Sequence, residues 1–136
     1  MKQLFNNVYQ GKRVLLTGHT GFKGSWLYLW LQQLGAEVQG FALAPDTQPA
    51  HIQLLNLYDE TTIGNIIHPQ KVASFFSSFQ PDIVFHLAAQ PLVRQSYKDP
   101  LTTFQTNVIG TANVLEAARN TASVKAIVNI TTDKVY

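Results

Sequence analysis

Gly18-His19-Thr20-Gly21-Phe22-Lys23-Gly24 stands directly between the apolar run Val14-Leu15-Leu16-Thr17 and a long helical pattern, and few folds accept that order of strand, glycine loop and helix. A helix that starts straight after a strand leaves its first N–H groups without intrahelical partners, and such free donors suit an anion. Each glycine has an expected job: Gly18 allows a sharp turn, Gly21 removes a side chain where backbone meets a diphosphate, and Gly24 lets the new helix press on the strand. The segment therefore reads as the phosphate-gripping loop of a dinucleotide site. A glycine triplet alone is weak evidence, since glycine turns join many strands and helices without a ligand. The readable strand and helix on either side give it weight.

The rest of the chain repeats the alternation. Lys12 to Thr17 predicts a central parallel strand buried on both faces, and Ser25 to Leu34 a helix stopped by Gly35. Trp26 and Trp30 on that helix are expected to pack against the sheet. Glu37 to Leu43 predicts a second strand, ended by the loop Ala44 to Pro49. Residues 50 to 60 carry no clear pattern, and Thr61 to Ile66 reads as a short third strand. Pro69 should open a helix to about Phe79, and Asp82 to Ala88 is a strong fourth strand. Asp99-Pro100 reads as an N-cap followed by a first-turn proline, starting a helix to about Asn120 with Val108, Ala112, Leu115 and Ala118 on its inward stripe. Lys125 to Thr131 is the fifth strand. Strands alternating with helices predict an α/β fold of the Rossmann type, a doubly wound parallel sheet with helices on both faces, truncated after the fifth strand. All 136 residues belong to that one incomplete domain.

Composition removes other classes. Ten Lys plus Arg against eight Asp plus Glu leave a net charge of +2 with no basic run, which gives nucleic-acid binding little support. No cysteine is present, and His19, His51, His68 and His86 lack ligand spacing, so no metal site is expected. The first residues lack the apolar core of a secretory signal, and no apolar run reaches membrane-spanning length, so a cytoplasmic protein is expected.

The G-x-x-G-x-x-G spacing of the loop resembles the extended short-chain dehydrogenase/reductase superfamily. A narrower likeness runs over nearly the whole chain. Leu16 to Leu27, Phe41-Ala42-Leu43-Ala44-Pro45, His86-Leu87-Ala88-Ala89-Gln90-Pro91-Leu92-Val93-Arg94 and Thr131-Thr132-Asp133-Lys134-Val135-Tyr136 together resemble the N-terminal part of the CDP-glucose 4,6-dehydratase family. That resemblance implies a lyase acting on CDP-glucose, in which tightly held NAD carries a hydride from C4 to C6 of the hexose while water leaves across C5 and C6. It also implies a product that feeds dideoxy sugars of bacterial surface polysaccharide.

Position by position, the resemblance implies that Thr132 hydrogen-bonds the sugar C4 oxygen, Asp133 assists departure of the C6 hydroxyl, and Lys134 takes the C5 proton. Most nucleotide-sugar dehydratases carry Glu where Lys134 stands, while the CDP-glucose enzymes share the lysine. A lysine base must first be neutral, which needs a pKa well below the ordinary value of about 10.4. Thr131 to Lys134 fall at the carboxyl end of a parallel strand, where ligands of such sheets sit; the bland alternative is a polar strand end that satisfies its own backbone.

The implied cofactor groove consists of Gly18, His19, Thr20, Gly21, Phe22, Lys23, Gly24, Asn65, Ile66, Leu87, Ala88, Ala89, Gln90, Asn107 and Thr131. Two readings stay open for His19, a donor to the diphosphate or ribose and a solvent-facing turn residue; Lys23 is likewise either a phosphate contact or a surface lysine. Arg94, expected in a loop, reads as a substrate contact or as half of a surface ion pair; Asn107 is unfavourable inside a helix, and the resemblance implies that it braces the active-site strand.

Two departures stand out. The acid that usually holds the ribose hydroxyls at the end of the second strand is replaced by Ala42, with Asp46 slightly later, so the residues leave NAD and NADP open and only the resemblance favours NAD. The family's Tyr-x-x-x-Lys pair is missing, because nothing follows Tyr136, and this polypeptide alone is expected to lack dehydratase activity. Family members commonly dimerise through the helix spanning 100 to 120, and a homodimer is expected of the full-length protein. The rival readings are another nucleotide-sugar epimerase or dehydratase and a non-catalytic dinucleotide-binding module.

Overall fold

The structure is a computed structural model that describes residues 4–132. Its centre is β1 (Arg13–Thr17), where Val14, Leu15 and Leu16 are fully buried, as a strand flanked on both faces requires. α1 (Phe22–Gln33) returns the chain to β2 (Glu37–Phe41), which lies parallel to β1 with Arg13 opposite Glu37 and Thr17 opposite Phe41. A short α2 (His51–Leu54) and α3 (Pro69–Phe79) lead to β3 (Ile83–His86), on the other side of β1. Then come α4 (Val93–Lys98), α5 (Pro100–Phe104), a π-helical stretch at Gln105–Gly110, α6 (Thr111–Arg119) and β4 (Ala126–Asn129).

The sheet order is β2-β1-β3-β4, all parallel, with helices around it, as the alternation predicted. Leu15 and Val84 join Val72, Phe76 and Phe79 of α3 and Val114, Ala117 and Ala118 of α6 in the main core. Chain order reverses at β1, so a crevice opens where the carboxyl ends of β1 and β3 part.

Three expectations change. Thr61 to Ile66 is not a strand, so among the described residues the sheet has four strands, and the one expected as the fifth is the fourth. The Asp59 carboxylate accepts from the Thr61 amide and hydroxyl, and the Thr62 hydroxyl donates to the Asp59 carbonyl. These local bonds wind Glu60–Thr62 into a 3-10 turn and compete with a ladder. Only a bridge between Ala42 and Ile63 survives from it.

Secondly, Trp26 and Trp30 do not pack on the sheet. Both are about half exposed; Trp30 meets Phe5 edge-on, and Trp26 lies over His51 with ring centroids 4.5 Å apart. The inward face of α1 is narrow, with Gly24, Ser25 and Leu31 buried, so the indoles fall outside it.

Thirdly, Asp99 does cap its helix, accepting from the Thr102 amide, but the inward stripe is Gly110, Val114, Ala117 and Ala118. Val108 and Leu115 are exposed, in line with Leu101 and Phe104. The π turn between α5 and α6 changes the winding there, so a stripe counted at a constant helical step drifts off the core.

Candidate functional site: the crevice at the carboxyl ends of the sheet

The loop after β1 is built as its glycines require. Gly18 sits at φ +78°, its amide donates to the Phe41 carbonyl, and a β-carbon on it would lie 2.8 Å from the Ala88 nitrogen. The turn after β3 thus crosses directly over Gly18. A β-carbon on Gly24 would collide with the Gly18 carbonyl oxygen, so α1 rests on the loop itself and not on the strand. Gly21 differs from both: a β-carbon there would meet only the Gly18 oxygen, at an ordinary 3.4 Å. Packing therefore does not demand a glycine at 21, whereas close approach by a ligand would.

Gly21 is also the N-cap of α1, and no side chain caps that helix. The positive end of α1 faces the crevice with its first amides available to an anion. Thr20 does not reach into that space with its hydroxyl, which donates to the Leu43 carbonyl at 2.8 Å and ties the loop to the end of β2. Phe22 and Lys23 are exposed on the first helical turn.

His19 fits neither of its two sequence readings. Its side chain is 1% exposed, wedged against Gly40 of β2 so tightly that a β-carbon on Gly40 would overlap the ring. The Thr62 hydroxyl already donates to the Asp59 carbonyl, so it accepts from His19 Nε2 at 3.1 Å and leaves Nδ1 buried without a partner. Burial lowers the pKa of His19 from 6.5 to about 4, with Asp59 opposing weakly, and the ring is neutral. A cavity of about 310 Å³ lined by His19, Tyr28, Gln39, Leu57, Asp59 and Thr62 lies beside the early part of β2. It is separate from the crevice at the strand ends.

The turn after β3 is held from two sides. Thr17 Oγ1 accepts from the Leu87 and Ala88 amides at 3.1 and 3.2 Å. Asn107, in the π turn, accepts from the Gln90 amide and donates to the Gln90 carbonyl. The Gln90 side chain is itself engaged with Leu92 and Thr103, so it shapes the turn and does not project into the crevice. Asn107 thus braces this turn, where the active-site strand was expected, and Ala88 and Ala89 line it with short side chains. Thr17, His86 and Thr111, which reasoning from sequence missed, form a buried hydrogen-bonded chain beneath it. The only signal in sequence was a pair of polar residues closing two apolar strands.

On the far side, the Asn65 carboxamide oxygen accepts from the Ile67 amide, the Ile66 side chain is core, and the Ile66 carbonyl accepts from Asn113. Ala42, where an acid was sought, is 4% exposed. Arg94 lies on α4 and not in a loop, exposed, and the ion pair among the described residues is Glu116 with Arg119. Thr131 and Thr132 are exposed just beyond β4. Asp133, Lys134 and Tyr136 lie outside the described residues. The donor-rich end of α1, the open face of Gly21 and the small-residue turn after β3 fit an elongated ligand with a central diphosphate.

Among the described residues no helix is long and apolar enough to cross a membrane, and no cluster of potential metal ligands occurs. The chain is 52% identical to CDP-glucose 4,6-dehydratase of Salmonella typhimurium over 96% of its own length and 37% of that protein. Its fold is similar to that of the epimerase Mth375 of Methanothermobacter thermautotrophicus, with a TM-score of 0.78 at 29% identity, covering 93% of this chain and 37% of the other. It also resembles the UDP-glucose 4-epimerase of Thermus thermophilus, solved in complex with NAD, with a TM-score of 0.70 at 30% identity over 84% of this chain and 36% of the other. The chain therefore spans little over a third of the proteins it matches. With the matching family model extending over residues 14–136, from the first buried strand through the glycine loop to the last residue, the chain belongs to the NAD dependent epimerase/dehydratase family.

Proposed function

We propose that the protein carrying this chain dehydrates CDP-glucose to CDP-4-keto-6-deoxyglucose, with this chain supplying the NAD groove and part of the catalytic site. The 52% identity along 96% of the chain to an enzyme of that name carries the reading. Lys134 supports it, since the resemblance implies Glu at this position in most nucleotide-sugar dehydratases and lysine in the CDP-glucose enzymes.

NAD, when bound, would supply a reversible hydride acceptor. The amides at the start of α1, together with Gly18, Gly21 and Gly24, would hold its diphosphate, and the turn from Leu87 to Gln90 would support the ribose next to it. Thr132 would bind the sugar C4 oxygen, Asp133 would give a proton to the departing C6 hydroxyl, and Lys134, neutral, would remove the C5 proton. Arg94 would meet the nucleotide sugar. The Tyr-x-x-x-Lys pair occurs nowhere in these 136 residues, so turnover by this polypeptide alone is not expected.

The exposed stripe Leu101, Phe104, Val108 and Leu115 supports a homodimer formed through this helix. A cytoplasmic location and a role in dideoxy-sugar synthesis for surface polysaccharide accompany the reading. Assaying the complete protein with CDP-, dTDP- and UDP-glucose, and following the absorbance of the 4-keto product in base, tests it. Preference for CDP-glucose is expected; preference for either other donor would overturn it.

A further inference from the structure

The hydroxyl of Thr17 has one hydrogen and two lone pairs, and its three neighbours decide how they are used. The Leu87 and Ala88 amides can only donate, at 3.1 and 3.2 Å. The third neighbour is His86 Nδ1, at 2.6 Å. The Thr17 hydrogen must therefore point to His86, whose Nδ1 is bare and whose Nε2 carries the proton. That proton is donated to Thr111 Oγ1 at 3.0 Å. Thr17 and His86 are 1% and 2% exposed, so water does not offer either group another partner. Burial alone lowers the pKa of His86, in keeping with a neutral ring.

We propose that His86 is a positioning residue for the cofactor: held as the Nε2–H tautomer between Thr17 and Thr111, it turns both Thr17 lone pairs toward the Leu87 and Ala88 amides and so sets the turn that supports the dinucleotide. The link runs from α6, which begins at Thr111, through β3 to the strand end that precedes Gly18. Asn107, four residues before Thr111, holds Gln90 in the same turn, so one helix grips both ends of it. A π turn lies between α5 and α6 at this point, a feature often found where helices serve a site. The cofactor half of the proposal rests on the dinucleotide reading above; the tautomer does not.

Long-range nitrogen–proton spectra of the histidine-labelled complete protein, without ligand at about pH 7, read the tautomer directly. A protonated Nε2 and bare Nδ1 at His86 are expected; the opposite tautomer or an imidazolium would overturn the proposal. Calorimetric titration with NAD, with the thermal midpoint measured alongside, then compares two variants. Both variants should lose some thermal midpoint, but His86→Asn keeps an acceptor where Nδ1 stood and should bind within about threefold of wild type, while His86→Leu should bind about tenfold more weakly. Equal weakening in step with equal loss of midpoint would overturn the positioning role. Should His86→Leu not fold, Thr111→Val takes its place: Thr17 still fixes the His86 tautomer, but the ring loses its hold on α6, so an unchanged tautomer with weaker NAD binding is expected, and a changed tautomer or unchanged NAD binding would overturn the proposal. Wild-type protein that shows the tautomer but binds no NAD would defeat the dinucleotide reading, and the cofactor half of the proposal with it.

Discussion

Gly24 lies against Gly18 with no room for a methyl group, because a β-carbon on Gly24 would run into the Gly18 carbonyl oxygen. The start of α1 is therefore seated on the loop that precedes it, and the two cannot move independently. Gly21, between them, has no such constraint. One motif thus contains glycines kept for packing and a glycine left open.

These glycines should separate stability from binding. Gly24→Ala should destabilise the protein by about 1–3 kcal/mol, since neither backbone can retreat without moving helix or loop. Gly21→Ala should change stability by less than about 1 kcal/mol and weaken NAD binding about tenfold or more. Denaturant midpoints and calorimetric titration of the two variants check this.

His19 makes stability depend on pH in a definite direction. Its folded pKa, about 4, lies below its ordinary 6.5, so between these values the unfolded chain holds the extra proton. Stability is then present above pH 6.5 and lost as pH falls toward 4, by roughly 3 kcal/mol in all. His86, also lowered by burial, adds to the same slope. Urea midpoints from neutral to mildly acidic pH should show it, and His19→Gln should flatten the slope whatever it does to the absolute level.

Asn107→Ala removes both bonds that hold the Gln90 backbone. A loss of about 1–3 kcal/mol in stability and a roughly tenfold weaker hold on NAD are expected. Exchange protection of the amides around Gln90 should fall in the variant and stay unchanged across β1.

Lys134→Ala in the complete protein should lower elimination from CDP-glucose by about a hundredfold or more while NAD stays bound. Single-turnover kinetics with cofactor absorbance check it; unchanged turnover would remove Lys134 from the chemistry.

The amino-acid sequence by itself determined the alternation of strands and helices, the parallel sheet and the loop at the end of β1. Those follow from short-range physics: apolar runs, glycines, prolines and an aspartate cap act within a few residues. It also pointed to Asn107, because an amide inside a helix needs a reason. Tertiary structure decided what distance along the chain conceals. His19 became core because Gly40, on the next strand, leaves a hole of its shape; Thr61 to Ile66 lost its strand to Asp59, which binds its own neighbours first. The Trp26 and Trp30 indoles found Phe5 and His51 and not the sheet. Thr17, His86 and Thr111 acquired a shared role only once β1, β3 and α6 met, since a hydrogen bond needs two groups within about 3 Å and no local pattern announces a partner some 70 residues away.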